Sequence, residues 1–451
     1  MRSSPLRGLL ALALLVGCAD PPPPGEVSPI IRTPVAIFAG AAETCALVEV
    51  TVRGDGGVVD SGAPSDDLGS ESDAGSDDLG APVDMFVPVD MFTPTDMFMA
   101  ADMFVPADDA GPEMDGGVVR VDAFVPPRDA GPPPPPPTVA TVRCWGSGQA
   151  SPRRPSDSPE EAIAVATWGT RCVVDADRDV ICWGPNQSGQ AGAPASDDAA
   201  PAPLPLLPPA SVVELSAGGA HACAITEDGL FCWGEGEAGQ LGDGRSTSGH
   251  RPVEVDLDGV TSVALGERHT CAIAEGELYC WGASESGQAG NTEDDTPQLV
   301  RTTGMDDLVT VVAGRAHTCV LDASGEVACL GDDTLGQLGQ GAPGDSNPSP
   351  VSVSMPDVAI LAAGGNHTCA ADESTVYCWG SGDQWQTGTT TPSEGAVQRI
   401  RISVDQLALG AAHSCALSGT QVRCWGANDQ EQLGGDASER SANPVRVGGL
   451  R

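Results

Sequence analysis

The chain contains no lysine. Its 22 basic residues are all arginine, they face 63 acidic ones, and the formal net charge is −41. Without lysine there is no Schiff-base chemistry, no phosphate-loop lysine and no serine–lysine dyad. So negative a balance argues against nucleic acid and against anionic membrane surfaces as partners. Long apolar runs are also scarce. The apolar run at 9–16 is too short to span a bilayer.

What the chain has instead is a repeat. Residues 260–291, VTSVALGERHTCAIAEGELYCWGASESGQAGN, show it most clearly. Two short runs flank a tight turn; the first carries His-x-Cys-Ala and the second Cys-Trp-Gly. Cys271 and Cys280 are symmetric about Glu275-Gly276. A two-residue hairpin there pairs Ala274 with Glu277, Ile273 with Leu278, Ala272 with Tyr279 and Cys271 with Cys280. Alternation makes the cysteines a non-hydrogen-bonded pair, with Cα atoms about 4.5 Å apart, close enough for a disulfide. His269, Cys271 and Ile273 then share one face, and Thr270, Ala272 and Trp281 the other.

The same symmetry recurs in the pairs Cys223–Cys232, Cys369–Cys378 and Cys415–Cys424. Cys172–Cys182 and Cys319–Cys329 have one extra residue; in the latter, Gly325 suits the left-handed position of a three-residue loop. Cys45 and Cys144 form a seventh pair, split by a long insertion. Of the 15 cysteines only Cys18 is left over. Paired cysteines read as disulfides or as metal ligands. Structural zinc prefers closer spacing, so disulfides are expected and no metal. They imply an oxidising, extracytoplasmic compartment. In the chain-entropy model each short loop stabilises its unit by about 2–3 kcal/mol, and Cys45–Cys144 by more.

Residues 1–17 read as a signal peptide, with Arg2 and Arg7 ahead of the apolar run. Leu15-Val16-Gly17-Cys18 resembles a bacterial lipobox, which makes Cys18 the lipid attachment site. An ordinary signal peptide with a chance cysteine is the alternative. Residues 18–30 form a Pro-rich tether, and an outer-membrane or cell-surface address follows, with the membrane contacted only through the lipid. Residues 31–48 look like the first half of a repeat. The insert at 49–140 is acidic and rich in Pro, with Asp-Met-Phe at 84–86, 90–92, 96–98 and 102–104. Its composition predicts disorder. It reads as an extended spacer or as a sticky array for a partner.

From 141 to 451 the repeats are continuous. The Trp-Gly positions are Trp145, Trp183, Trp233, Trp281, Trp379 and Trp425, with Leu330 in one copy, and a Gln-containing turn follows each. A Pro-led strand comes next, as at Pro252 and Pro444. Four short strands per period of 40–50 mean a β-propeller. The chain stops soon after Pro444–Val447, so this strand is expected to complete the first blade and join the ends of the ring.

The residues Gly-x-x-His-Thr-x-Ala, a turn, Val-x-x-Trp-Gly and Gly-Gln-Leu-Gly resemble the regulator of chromosome condensation repeat, whose family fold is a seven-bladed propeller. The resemblance covers 31–48 and 141–451. It is weaker in the first two copies, where Glu43 and Arg171 are read at the His position. The fold class is therefore all-β, a seven-bladed β-propeller with a long disordered insert in the first blade. The paired cysteines depart from eukaryotic members. The family's exchange-factor activity and chromatin binding are not carried over to an acidic, disulfide-bonded, lipidated chain, because fold does not decide function.

Candidates for chemistry are thin. His221, His269, His317, His367 and His413 are equivalent, so they spread around a ring, each expected to hydrogen-bond within its blade. Gly234-x-Gly236-x-x-Gly239 has the dinucleotide spacing, but no helix follows it. Asp175-x-Asp177-x-Asp179 starts like a calcium loop but lacks its Gly and late Glu. The reading is a surface-tethered, non-enzymatic propeller, without cofactor, that binds a protein or polysaccharide through loops such as 242–251 and 339–350. Two alternatives are an inhibitor of a secreted enzyme, and an envelope hydrolase or lyase with non-repeated acid and base residues gathered at one mouth of the ring.

Overall fold

In the computed structural model the described residues are 32–39, 41–51, 138–146, 149–153, 162–167, 170–175, 179–203, 212–291, 295–391, 395–434 and 439–450. The expected signal peptide, Cys18, the tether and nearly all of the 49–140 insert lie outside them. The chain divides into two units, Met1–Gly57 with Pro136–Arg451, and Val58–Pro135. All the described strands belong to the first.

Every described element is a strand, and the strands form seven four-stranded antiparallel sheets. These are the blades, at 32–153, 162–203, 212–255, 260–302, 308–352, 360–400 and 406–446. Blade 4 shows the plan. Its inner strand Val260–Leu265 pairs with His269–Ala274, which pairs with Glu277–Ala283, which pairs with the outer strand Asp295–Thr302. The hairpin register is the expected one, from Ala274↔Glu277 to Cys271↔Cys280. Glu275 and Gly276 both take positive φ, 53° and 79°, the signature of a type I′ turn whose twist matches the strands.

The Cys-Trp-Gly motif has a backbone reason. The register with the outer strand slips between Cys280 and Gly282, and Gly282 has φ 96°. This is a bulge, and a residue there without a Cβ lets the strand turn out of the ladder. The same slip recurs in blades 1, 2, 3, 5 and 7.

The sheets alternate as the pleat requires, and both faces are buried. The core therefore lies between neighbouring blades. Cys223, Ile225, Leu230 and Cys232 of blade 3 pack against Val263, Leu265, Ala272 and Trp281 of blade 4. Cys271, Ile273 and Cys280, on the other face of blade 4, pack against Val311, Val320 and Leu330 of blade 5. The small Thr270 and Ala272 leave room for the indole, as their shared face implied. Trp281 and Ile273 are fully buried, and each such side chain contributes roughly 1.5–3 kcal/mol.

Two expectations about connectivity fail. The Pro-led strand ends its own repeat: Ser441–Arg446 pairs with Gln421–Gly426 in blade 7. Blade 1 has its own outer strand, Gln149–Arg153. Among the described residues each blade is thus built of consecutive strands, and none is exchanged to close the ring. Closure comes from packing and polar contacts. The Gln406 side-chain amide accepts from the Ile37 N–H at 2.9 Å and donates to the Ile37 carbonyl at 3.0 Å. The Ala411 N–H donates to the Ala41 carbonyl at 3.2 Å. One apolar cluster joins Ile37, Val48 and Trp145 to Leu417, Val422 and Leu433.

In blade 1 the two long strands stay paired through Glu49↔Ala140, Val50↔Val139 and Thr51↔Thr138. The insertion therefore interrupts a hairpin tip, where loop closure costs little more for a longer loop.

Candidate functional site

The recurrent polar residues meet at the seams between blades. His269 Nε2 lies 3.0 Å from the hydroxyl of Thr318, in the next blade. The equivalent contacts are His221–Thr270 at 2.9 Å, His317–Thr368 at 2.8 Å, His367–Ser414 at 2.9 Å and His413–Thr44 at 2.7 Å. The expectation of a hydrogen bond within each blade is corrected: these imidazoles lie on the face turned towards the neighbouring sheet, and Nε2 meets that sheet's hydroxyl.

The hydroxyl has a second role. Thr318 donates to the Gln288 carbonyl at 3.0 Å, Thr270 to that of Gln240 at 2.8 Å, and Ser414 to that of Gln386 at 3.0 Å. With its one proton committed, each hydroxyl must accept from His Nε2, which fixes the imidazole as the Nε2–H tautomer. Two of these carbonyls also take an indole N–H: Trp281 donates to Gln240 and Trp425 to Gln386, at 2.9 and 2.8 Å. The Gln side chain staples its own turn, with Gln240 Oε1 accepting from the Ala238 N–H at 3.0 Å. The Gln of the repeat is therefore the acceptor on which the next blade docks.

All five imidazoles are fully buried, and burial holds their pKa values far below the usual 6.5: about 3 for His221, His269 and His367, about 4 for His317 and His413. The Nδ1 atoms have no hydrogen-bond partner among the described residues. Gly266 explains the fit, since a Cβ there would stand 2.3 Å from His269 Nδ1.

Seams 1–2 and 2–3 depart from the rule. Arg171 pairs in register with Trp183, as Thr270 does with Trp281, so it occupies the hydroxyl position and not the His position, which belongs to Thr170. Counting back from the first cysteine of the pair would have shown this. Glu43 does stand at the His position, opposite Gly146 as His269 is opposite Gly282. It accepts from Arg171 Nε at 2.7 Å and forms an ion pair with Nη2. A carboxylate and a guanidinium thus replace imidazole and hydroxyl at one seam. At seam 2–3 the residues are Thr170 and Ala222, and Thr170 donates instead to the Pro185 carbonyl in its own blade, at 2.7 Å.

The seven disulfides join the expected partners: Cys45–Cys144, Cys172–Cys182, Cys223–Cys232, Cys271–Cys280, Cys319–Cys329, Cys369–Cys378 and Cys415–Cys424, with Cα separations of 4.0–4.1 Å. So many disulfides fit an oxidising, extracytoplasmic setting. Glu43, Cys45 and Cys144 lie together, but two sulfurs bonded to each other offer no thiolate to a metal. No helix long and apolar enough to cross a membrane occurs among the described residues.

The inner strands surround a cavity of about 310 Å³, lined by residues such as Leu215, Leu265, Val311 and Leu409. Its polar side chains among the described residues are Ser216 and Gln406. No acid–base cluster of the kind a hydrolase needs lines this channel among the described residues. Glu214 stands where blade 7 has Gln406, each paired with the residue two after the first cysteine. It accepts from the Val263 N–H at 3.4 Å, and burial raises its pKa to about 7.

Sequence reasoning missed two sets of residues. The seam hydroxyls were visible as a recurrent Thr or Ser before the first cysteine. The second set is at the rim between blades 6 and 7, where Arg399, Arg401 and Arg423 line a cleft of about 440 Å³ with Ile400, Asn443 and Pro444. Nearby, Trp385 holds φ 67° at a turn position that is Gly239 or Gly287 elsewhere, and Arg440 lies over its ring at 4.5 Å. A bulky residue in the left-handed region is a marked outlier.

Known proteins share both the repeat and the ring. Residues 227–273 and 275–321 match the regulator of chromosome condensation (RCC1) repeat, and a second description of that repeat matches 212–240, 260–288 and 308–337. No curated protein matches the sequence. Among solved structures, human WBSCR16 is 23% identical, with a TM-score of 0.60, over 66% of this chain and 85% of its own. Prp20p from Saccharomyces cerevisiae, whose study concerns its binding properties to Gsp1p and histones, is 21% identical, with a TM-score of 0.61, over 68% of this chain and 85% of its own. Yeast RCC1 (Prp20) bound to Kap60 is 20% identical, with a TM-score of 0.60, over 68% and 83%. At these identities the likeness speaks for the fold alone. The repeats matched within 212–337 and the seven four-stranded sheets together support an RCC1-type repeat propeller.

Proposed function

We propose that the protein is a lipoprotein of the cell envelope, held at the outer membrane or cell surface by acyl chains on Cys18, whose propeller is a non-catalytic scaffold binding a protein or polysaccharide through the loops of one face. The observation that carries this reading is the chain's double investment in rigidity. Every blade is clasped by a disulfide, and six of seven seams carry a polar bridge between side chains. A pre-organised ring loses little entropy when its loops engage a ligand. The yeast propellers of like fold support a protein-contact role through what their own studies describe. Their partners are not carried over.

Two measurements test the reading. In detergent phase partition of the full chain, the wild type should enter the detergent phase and Cys18→Ala the aqueous phase. Equal partition of the two would remove the anchor. Cross-linking of the full chain in intact envelopes should yield a defined adduct that persists in high salt; recovery of the chain alone would count against the scaffold role.

A further inference from the structure

The repeat lets each blade serve as the control for the others, and the rim between blades 6 and 7 fails that comparison. In blade 4, Arg301 sits opposite Tyr279 and forms an ion pair with Glu277. In blade 6, Arg399 sits opposite Tyr377 in the same way, but Thr375 takes the place of Glu277. Arg399 lies over the ring of Tyr377, at 5.6 Å, whose hydroxyl donates to Asp372 at 2.9 Å, and among the described residues Arg399 forms no ion pair. In blade 7, Gln421 stands at that place, and Arg446 is paired with Arg423. Arg423 itself replaces the aromatic residue found as Phe231, Tyr279 and Tyr377, and its hydrogen bond goes to the neutral Gln421, at 3.0 Å. Arg399, Arg401 and Arg423 thus put three guanidiniums on one cleft, and none of the three has a carboxylate within ion-pair distance among the described residues. In a chain with 63 acidic and 22 basic residues, three arginines on one cleft without an ion pair among the described residues run against its composition.

We infer that this cleft binds a small oxyanion: a compact molecule carrying two or three carboxylate or phosphate groups. Planar guanidiniums bind such groups through paired N–H donors. The cleft, about 440 Å³, falls in the size range of small-molecule sites. Ile400, Ile402 and Pro444 supply apolar wall. The chain's charge of −41 selects against the larger alternative, because a polyanion would run past the arginines into a field that repels it. The inference deepens the binding role proposed above and does not depend on the lipid anchor.

Isothermal titration of the oxidised full chain at low ionic strength tests it, with citrate as the carboxylate probe and inorganic pyrophosphate as the phosphate probe. Saturable binding of either probe is expected, and the stronger one identifies the anionic group. Thr375→Glu supplies the carboxylate that blade 4 already has, and should weaken binding at least tenfold without removing an arginine. Arg423→Tyr, which restores the residue of blades 4 and 6, should do the same. Arg301→Gln in blade 4 should change nothing. The site is refuted if neither probe binds, if Thr375→Glu and Arg423→Tyr leave binding intact, or if heparin binds more tightly than both probes. The titration is blind to acylation and partition is blind to the cleft, so the two readings fail separately.

Discussion

Acidification from pH 7 to 5.5 should loosen the ring, through the five seam histidines. Their folded pKa values, about 3 or 4, lie below the unfolded value near 6.5. The unfolded chain therefore binds more protons across that window, and stability falls with pH. The loss begins as pH drops through the unfolded pKa and stops growing below the folded ones. Between pH 7 and 5.5 each imidazole costs about 1.2 kcal/mol, or roughly 6 kcal/mol for five. Glu214 works the other way. Its folded pKa, about 7, lies above the unfolded one, so its contribution is complete at low pH and is lost as pH rises. It returns about 2 kcal/mol, leaving a net loss of roughly 4 to 5 kcal/mol. Guanidinium unfolding of the oxidised protein, followed by tryptophan fluorescence at constant ionic strength, measures this. His269→Gln should shallow the pH slope by about one proton. An unfolding free energy unchanged between the two pH values would mean that the imidazoles are not held neutral, and the account of the seams would fall.

Three further outcomes are expected of the seams and clasps. Glu43→Ala leaves the half-buried Arg171 without its carboxylate and should cost about 2 kcal/mol, whereas Glu43→His with Arg171→Thr should recover most of that, read as Tm in a double-mutant cycle. Gly266→Ala sets a methyl 2.3 Å from His269 Nδ1 and should cost about 1–3 kcal/mol; an unchanged Tm would show that the imidazole is not packed against that glycine. Replacing Cys271 and Cys280 together by Ser should cost about 3 kcal/mol, and replacing Cys45 and Cys144 somewhat more, about 4 to 5 kcal/mol, since the loop is longer. Mass mapping without reduction checks the pairing itself: linkages between blades, or free thiols, would contradict it.

The hairpins and their disulfides were legible because a two-residue turn fixes the register of everything after it. Once Glu275-Gly276 is taken as the turn, Cys271 must face Cys280. The blade count followed from the repeat. What escaped were relations between repeats. Whether Pro444–Val447 closes blade 7 or blade 1 depends on which of two edges it meets, and the local pattern is the same in both cases. The His positions were evident, but the partner of His269 lies 49 residues away, beyond any local pattern. Arg171 was misplaced by one position, enough to move it to the opposite face of its strand and to hide its pairing with Glu43. The arginines of the rim were hidden for a different reason. Their significance lies in Thr375 and Gln421, where a carboxylate is missing, and a missing charge shows only when equivalent positions are compared.

Because each blade is made of consecutive strands, the order in which the blades are linked is not fixed by any hydrogen-bonded ladder. Circular permutants opened at the loop between one outer strand and the next inner strand, with the present ends bridged, should keep every disulfide and every seam. Repeats could likewise be duplicated or lost whole during evolution, with ring size set by how well the last wedge meets the first. Such freedom would let single wedges diverge, as the sixth and seventh have, while their neighbours hold the circle.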